Sequence, residues 1–185
     1  MKRNTFTLIE ILGVVAIIAI LATLGFAGYS YASTKSKESA TQGLITRLNA
    51  AFEVAHQKSG FLPPANNFAT IEITSDNDVR IDGNTYSSNP GSNRLSRMHA
   101  EFTRNFIKTL QMDSMGRFME NNEIIDAWGN TIRYRYPGSL KQGGFDLISA
   151  GSDGAFGANA VSNPTNNISD YREGADWICD DIANF

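Results

Sequence analysis

The most prominent pattern in the chain is an apolar run from Phe6 to Ala27, in which Glu10 is the one charged residue. A helix of this length, at about 1.5 Å per residue, measures about 33 Å and can cross the hydrocarbon core of a bilayer. Lys2 and Arg3 precede the run, so the positive-inside rule places the N-terminus in the cytoplasm and the rest of the chain outside. We therefore predict a single-pass membrane segment. A cleaved secretory signal is the alternative, although its apolar core usually has about 7–15 residues.

The helical pattern continues beyond the apolar run. Apolar residues recur there at spacings of three or four, at Ala40, Leu44, Leu48, Ala51, Phe52 and Ala55. This spacing is typical of a helix with one buried face. Gly60 and the pair Pro63-Pro64 then favour a helix end. We predict one helix from Phe6 to Gln57, whose outer half is amphipathic and packs on a folded body.

The rest of the chain alternates between strand and helix patterns. A strand pair is predicted at Thr70–Thr74 and Thr85–Ser87, although this segment could also be a loop. Apolar spacing predicts a second amphipathic helix at Asn93–Gln111. Asp126–Gly138 reads as a turn followed by a strand, and Gly144–Ser149 reads as a second strand. The expected fold class is α+β, with a small antiparallel sheet packed against the long helix.

Alternation within the strand that ends at Gly138 predicts the orientation of its side chains. Ile132, Tyr134 and Tyr136 are expected to face the long helix. Arg133 and Arg135 are expected to face outward.

Composition bounds the classes of function. The 185 residues are 42% hydrophobic and 19% charged, with a net charge of -3, which fits one domain beyond the apolar run and makes nucleic acid a poor partner. Cys179 is the single cysteine, so no disulfide can form within the chain, and a small buried thiol is expected. His56 and His99 lie outside any zinc or nucleophile motif, and we expect no enzyme activity.

A carboxylate at membrane depth requires an explanation, because its insertion costs about 2.5–3.5 kcal/mol at the bilayer centre and less near an interface. Such residues usually pair with a cation. If the chain is cut before Phe6, the new α-amino group provides that cation, and a neighbouring copy displaced along the helix axis could bring it to Glu10. Glu10 is therefore a candidate assembly residue.

The C-terminal part of the chain has an unbalanced charge. One basic residue, Arg172, accompanies seven acidic ones: Asp146, Asp153, Asp170, Glu173, Asp176, Asp180 and Asp181. Calcium suits such a segment because it takes about 6–8 oxygen ligands from carboxylates and carbonyls in irregular loops.

The N-terminal residues resemble the processing and assembly signal of type IV pilins and type II secretion pseudopilins. Lys2-Arg3 is followed by Phe6-Thr7-Leu8-Ile9-Glu10 and the apolar helix. The resemblance implies cleavage between Thr5 and Phe6 by a prepilin peptidase, N-methylation of Phe6, and a role for Glu10 in registering subunits. The family usually has Gly where this chain has Thr5. The implied division is a leader at 1–5, a transmembrane and assembly helix at 6–30, and a periplasmic body at 31–185.

The C-terminal residues are similar to the body of type II secretion major pseudopilins. The similarity lies in Asp126-Ala127-Trp128-Gly129-Asn130, in Phe145-Asp146-Leu147, in Asp153-Gly154, and in the final run from Asp180 to Phe185. It implies a type IV pilin-like fold with a calcium-binding C-terminal loop. The implied ligands are the Ala150 carbonyl, Asp153, Asp180 and Asp181. Residues 68–119 depart most from the family, and residues 158–174 resemble an insertion.

The resemblance implies a structural subunit that polymerises into the periplasmic pseudopilus of a type II secretion system. The implied partners are further copies of the chain, other pseudopilins, the inner-membrane assembly platform and the prepilin peptidase. The implied location is the inner membrane before assembly and a periplasmic or surface filament afterwards. Two alternatives stay open: a type IV pilus subunit for adhesion, motility or DNA uptake, and a membrane-tethered binding domain or enzyme that does not polymerise.

Overall fold

The structure is a computed structural model that describes residues 8–141, 143–159, 161–165, 168–173, 176–177 and 180–184. Seven residues named in the sequence analysis lie outside these ranges: Lys2, Arg3, Thr5, Phe6, Thr7, Cys179 and Phe185. The chain divides into two compact units, Met1–Ser36 and Lys37–Phe185.

The predicted long helix is confirmed as α1, Leu8–Ser59. In the N-terminal unit, the large apolar side chains from Leu8 to Leu21 are all more than half exposed. Within the described residues, α1 is long and apolar enough to cross a membrane, as judged by length and composition. The helix ends where Gly60 takes a left-handed φ of 67° and its N–H donates to the His56 carbonyl at 2.7 Å.

The second unit contains a short-stranded sheet. Its strands are β1 Ala65–Ile73, β2 Val79–Ile81, β3 Asn84–Tyr86, β4 Met119–Glu120, β5 Glu123–Ile124, β6 Arg133–Tyr136, β7 Asp146–Ser149 and β10 Ile182–Ala183, and a separate pair is formed by β8 Arg172–Glu173 and β9 Asp176–Trp177. The main order is β10-β7-β6-β1-β2-β3, with β5 also paired to β1 and β4 to β5. All of these pairs are antiparallel, as predicted.

The predicted pairing of Thr70–Thr74 with Thr85–Ser87 is wrong, because β2 lies between the corresponding strands. Ile71 of β1 faces Ile81 of β2, and β2 in turn pairs with β3. The cause is the Asp82-Gly83 turn, where both residues have positive φ. Asp-Gly is a typical two-residue hairpin turn, and it makes β2 and β3 immediate neighbours.

The second predicted helix is confirmed as α2, Arg94–Leu110. Asn93 caps it, since its side-chain oxygen accepts a hydrogen bond from the Ser96 N–H at 2.7 Å. Short 3-10 turns lie at Met112–Ser114, Gly116–Phe118 and Ile168–Asp170.

The main core lies between the two helices and one face of the sheet. Phe52 of α1 is fully buried, and its ring centroid lies 4.5 Å from that of Tyr134, 4.7 Å from that of Phe106 and 5.1 Å from that of Phe145. Such aromatic contacts add to the free energy gained by burying apolar area. The outer half of α1 therefore packs on the body, as predicted.

The side-chain orientation predicted for β6 is confirmed for Ile132 and Tyr134, while the other side chains are neither fully buried nor fully exposed. Ile132 and Tyr134 are fully buried, while Tyr136 is half-buried. Arg133 and Arg135 are also half-buried rather than solvated. The Arg135 guanidinium lies 5.8 Å from the centre of the Phe68 ring, so part of its surroundings is aromatic.

Candidate functional site

The candidate assembly residue Glu10 lies in the first turn of α1 as the structure describes it. Its side chain is exposed and borders a shallow apolar depression together with Ile11, Val14 and Val15. A carboxylate at a helix N-terminus is favoured by the helix macrodipole. The structure contains one copy of the chain, so the predicted pairing of Glu10 with a neighbour's N-terminus stays a prediction.

A buried carboxylate organises the turn that precedes β6. Asp126 accepts hydrogen bonds from the Trp128 N–H at 2.8 Å and the Asn130 N–H at 2.9 Å. Its other oxygen accepts from the Ser149 hydroxyl on β7 at 2.7 Å. Hydrogen bonds from several donors compensate the burial of such a charge. Asp126 therefore fixes the turn to the end of β7.

The same turn reaches the loop that follows β7. The side-chain amide of Asn130 donates to the Gly151 carbonyl at 2.8 Å. Gly151 has a φ of 67°, and a Cβ placed on it would lie 2.2 Å from the Asp180 carbonyl oxygen. Only glycine permits this approach, so the loop and the C-terminal segment are in direct contact.

Asp180 binds the loop through one carboxylate oxygen. This oxygen accepts from both the N–H and the hydroxyl of Ser152, each at 2.6 Å, and from the Asp153 N–H at 3.0 Å. Asp153 is itself exposed, and its side chain accepts from the Ala155 N–H at 2.8 Å. Two of the predicted calcium ligands are thus neighbours.

Asp181 is directed toward a different part of the loop. It is 5% exposed, and one carboxylate oxygen accepts from the Gly157 N–H at 2.6 Å. Burial raises the pKa of nearby Tyr171, and the charges of Asp181 and Asp170 raise it further, against the opposing effect of hydrogen bonds with Thr165. Through its hydrogen bond Asp181 fixes Gly157, which directly follows Phe156, and Phe156 belongs with Tyr171 to the second, smaller hydrophobic cluster.

Strand β10 explains why these distant segments meet. It pairs with β7, with Ile182 opposite Ser149 and Ala183 opposite Ile148. The residues that follow Ser149 are thereby placed beside those that precede Ile182. Sequence reasoning missed this two-residue strand because its hydrophobic pattern is too short to recognise.

The oxygen ligands implied for calcium fit the ion in chemical type. A hard cation takes carboxylate and carbonyl oxygens, and the segments that carry Ala150, Asp153, Asp180 and Asp181 lie together. Within the described ranges no group of three or more Asp, Glu, His or Cys residues could hold a metal ion. Backbone carbonyls would therefore have to complete the ligand set.

Asp146 was counted in the acidic imbalance, but the structure gives it another role. It is fully buried, and its two oxygens accept from the N–H groups of Ser139, Leu140 and Lys141 at 2.7–3.0 Å. Its charge is therefore compensated by backbone donors rather than left for a metal.

The two histidines differ in their surroundings. His56 is exposed, and His99 packs against the rings of Phe61 at 4.6 Å and Tyr86 at 5.1 Å. Burial lowers the pKa of His99, since it disfavours the charged form.

The class of the protein follows from this architecture. A long N-terminal helix, apolar in its first half and packed in its second half on an antiparallel sheet, is a pilin-like α+β fold. Residues 2–26 match the family described as the prokaryotic N-terminal methylation motif. Residues 96–167 match the family described as type II secretion system (T2SS), protein G.

A curated relative agrees with the second match. The chain is 41% identical over 49 residues to the type II secretion system core protein G of Xanthomonas campestris pv. campestris, an alignment that covers 26% of this chain and 33% of the relative. The chain thus matches about a third of the relative's length. No solved structure matches significantly. The two family matches, in separate parts of the chain, and the relative agree with the resemblance to type II secretion pseudopilins.

The position of the protein G match also bears on the segment that was expected to depart from the family. Residues 96–119 of the range 68–119 fall inside the matched region, so α2 belongs to the part that resembles protein G.

Proposed function

We propose that this chain is a structural subunit that polymerises into the periplasmic pseudopilus of a type II secretion system. The observation that carries the proposal is a single helix, α1, which bears an exposed apolar first half with Glu10 and a second half packed into the body. The N-terminal methylation motif supports the apolar first half of α1, and the protein G match supports the body on which the second half packs.

In this proposal, the apolar part of α1 anchors the chain in the inner membrane before assembly, with the N-terminus cytoplasmic and the body periplasmic. Cleavage between Thr5 and Phe6 by a prepilin peptidase exposes an α-amino group, whose ordinary pKa is about 7.7–8.0. That cation pairs with Glu10 of a neighbouring copy. Pairing in a bundle of apolar helices removes an uncompensated charge and sets the register between copies.

The proposed partners are further copies of this chain, other pseudopilins and the inner-membrane assembly platform. The role is structural rather than catalytic. Supporting this, the buried carboxylates Asp126, Asp146 and Asp181 are each bound by hydrogen-bond donors of the body.

We further propose that calcium stabilises the C-terminal loop. Asp153, Asp180 and the Ala150 carbonyl would hold it together with further backbone carbonyls, and Asp181, whose side chain accepts from the Gly157 N–H, would join them only after turning toward the ion. The bound ion would compensate the negative charge of the segment. Asp180 already joins the loop and the C-terminal segment through its hydrogen bonds with Ser152 and Asp153. An ion bound there would strengthen a connection that the chain itself makes.

The function is tested by deleting the gene and sequencing the mature chain. We expect loss of protein export on deletion and a mature N-terminus at Phe6 in recovered fibres. Surface fibres with normal export would favour a type IV pilus instead. A strictly monomeric chain in cells with active secretion would favour a tethered domain.

A further inference from the structure

The exposed side of α2 carries a basic stripe, defined by Arg94, Arg97, Arg104 and Lys108. At 3.6 residues per turn these side chains project within one sector of the helix, away from its buried apolar face. All four are exposed, and none forms an ion pair with a described residue. The stripe is about 21 Å long, from about 1.5 Å per residue.

Few carboxylates lie beside the basic stripe. Glu101 projects within it, and Asp76 lines the same surface cleft as Arg104 and Lys108. The stripe therefore keeps an excess of positive charge on a chain whose net charge is -3.

The sheet carries an opposite feature, the glutamate row, defined by Glu72, Glu120 and Glu123. Glu120 of β4 lies directly opposite Glu123 of β5, which lies directly opposite Glu72 of β1. Like charges in directly opposed positions destabilise a sheet. Arg80 compensates one end of the row, with its guanidinium nitrogen 3.2 Å from a Glu72 oxygen. Glu120, at the other end, is exposed.

The basic stripe and the glutamate row lie on opposite sides of the body. Glu72 alternates with Ile71 and Ile73, which are buried in the main core, so the row lies on the face of the sheet away from the core. Phe102 and Phe106 of α2 are buried in that same core, so the stripe lies beyond it on the helix side. No ion pair among the described residues joins the two surfaces within one copy.

We propose that the basic stripe of one copy binds the glutamate row of a second copy. Opposite charges on opposite sides of a chain define a head-to-tail contact, which generates an open polymer rather than a closed dimer. The contact would also give the unfavourable glutamate row its counterions. This inference rests on the proposed polymer and names a surface outside the membrane helix through which its copies meet.

Charge reversal in the full chain tests the contact. The pair Arg97→Glu and Arg104→Glu, and separately the pair Glu120→Lys and Glu123→Lys, should each lower the yield of fibres at least tenfold, because like charges then face each other. Combining all four substitutions should restore fibres. The matched controls are Lys58→Glu and Glu53→Lys, both exposed positions on α1, which should leave the yield unchanged.

Crosslinking provides a second measurement that does not depend on fibre yield. In a Cys179→Ser background, copies with Arg104→Cys are mixed with copies that carry Glu120→Cys and treated with a short bis-maleimide. A crosslinked dimer is expected only in the mixture, and Lys58→Cys in place of Arg104→Cys should abolish it.

The outcomes separate the contact from the polymer. The contact would be overturned if both reversed pairs gave normal fibres, or if positions 104 and 120 gave no crosslink in fibres like those of the unmodified chain. Either result would leave the proposed polymer unaffected. Absence of fibres from the unmodified chain would overturn the polymer itself. Folding of each reversed variant is checked by its thermal midpoint, which should stay at the value of the unmodified chain.

Discussion

The ring of Phe52 on the long helix stacks on the ring of Tyr134 in β6, with centroids 4.5 Å apart and an angle of 10° between the planes. Both side chains are fully buried. The Tyr134 hydroxyl donates to the Pro63 carbonyl at 2.9 Å, just beyond the end of α1. One tyrosine thus joins the helix, the segment that follows it and the centre of the sheet.

This relationship predicts two graded losses of stability. Tyr134→Ala should lower the free energy of unfolding by about 3–5 kcal/mol, because it removes a large buried ring and leaves a cavity. Tyr134→Phe should cost about 1 kcal/mol, since it removes only the hydrogen bond to Pro63. Denaturant titration of the full chain in mild detergent measures both. Tyr136→Phe, at a half-buried position, is the control and should have a smaller effect, while equal losses at both positions would contradict the assignment.

The long helix and the α2 helix could be predicted because their apolar periodicity extends over many residues. Ala40 to Ala55 and Leu95 to Leu110 each repeat at helical spacing over several turns. The β2 strand was missed although Asp82-Gly83 is a recognisable hairpin turn. Its three residues are too few to show alternation.

The candidate calcium site was only partly readable from the sequence. Resemblance indicated Asp153 and Asp180, which the structure places in adjacent segments. Charge counting treated Asp146 as equivalent to them, although backbone donors already surround it. Hydrogen bonds between distant segments, such as that from Asn130 to Gly151, depend on tertiary packing and leave no periodic pattern in the sequence.

Asn130 provides the second prediction. Asn130→Ala should lower stability by about 1 kcal/mol and loosen the loop at Gly151, because the side-chain hydrogen bond between the turn and the loop is lost. Hydrogen exchange of the amides at residues 151–157 should therefore accelerate. Asn105→Ala, which removes a hydrogen bond confined to α2, is the matched control and should leave those amides unchanged. Unaltered exchange in Asn130→Ala would show that the loop is held by other contacts alone.

Calcium is the third prediction. Calcium at a hundredfold excess over its dissociation constant should stabilise the chain by about 2.7 kcal/mol, and a chelator should reverse the effect. The double variant Asp153→Asn with Asp180→Asn should lose this response, whereas Asp113→Asn, an exposed carboxylate next to α2, should keep it. Thermal melting measures the response. Identical midpoints with calcium and with chelator in the unmodified chain would exclude a stabilising ion.

His99 gives the fourth prediction, which concerns pH. Burial holds the pKa of His99 in the folded chain below its ordinary value of 6.5, which applies to the unfolded chain. At a pH between the folded and the unfolded pKa, the unfolded chain therefore binds more protons than the folded chain. The contribution of His99 to the free energy of unfolding is complete above about pH 6.5, and it is lost as the pH falls through the lowered pKa. His99→Phe keeps an aromatic ring against Phe61 and should reduce the decline in stability. His56→Gln, at the exposed histidine, should retain the decline. This account would be contradicted if the free energy of unfolding fell equally with pH in the unmodified chain and in His99→Phe.

Glu10 gives the last prediction, and it separates membrane insertion from assembly. Glu10→Gln keeps nearly the same shape and removes the charge, so the apolar helix should insert at least as well, since a neutral side chain is cheaper to transfer than a carboxylate. The proposed pairing with a neighbour's α-amino group would be lost, however, and fibres should fall below one tenth of their normal yield. Glu53→Gln makes the same chemical change at an exposed position of α1 in the body and should leave the yield unchanged. Membrane fractionation and fibre recovery from the same cells measure the two steps together. Normal fibres from Glu10→Gln would show that the charge is unnecessary for register, and loss of the chain from the membrane would show that it serves insertion instead.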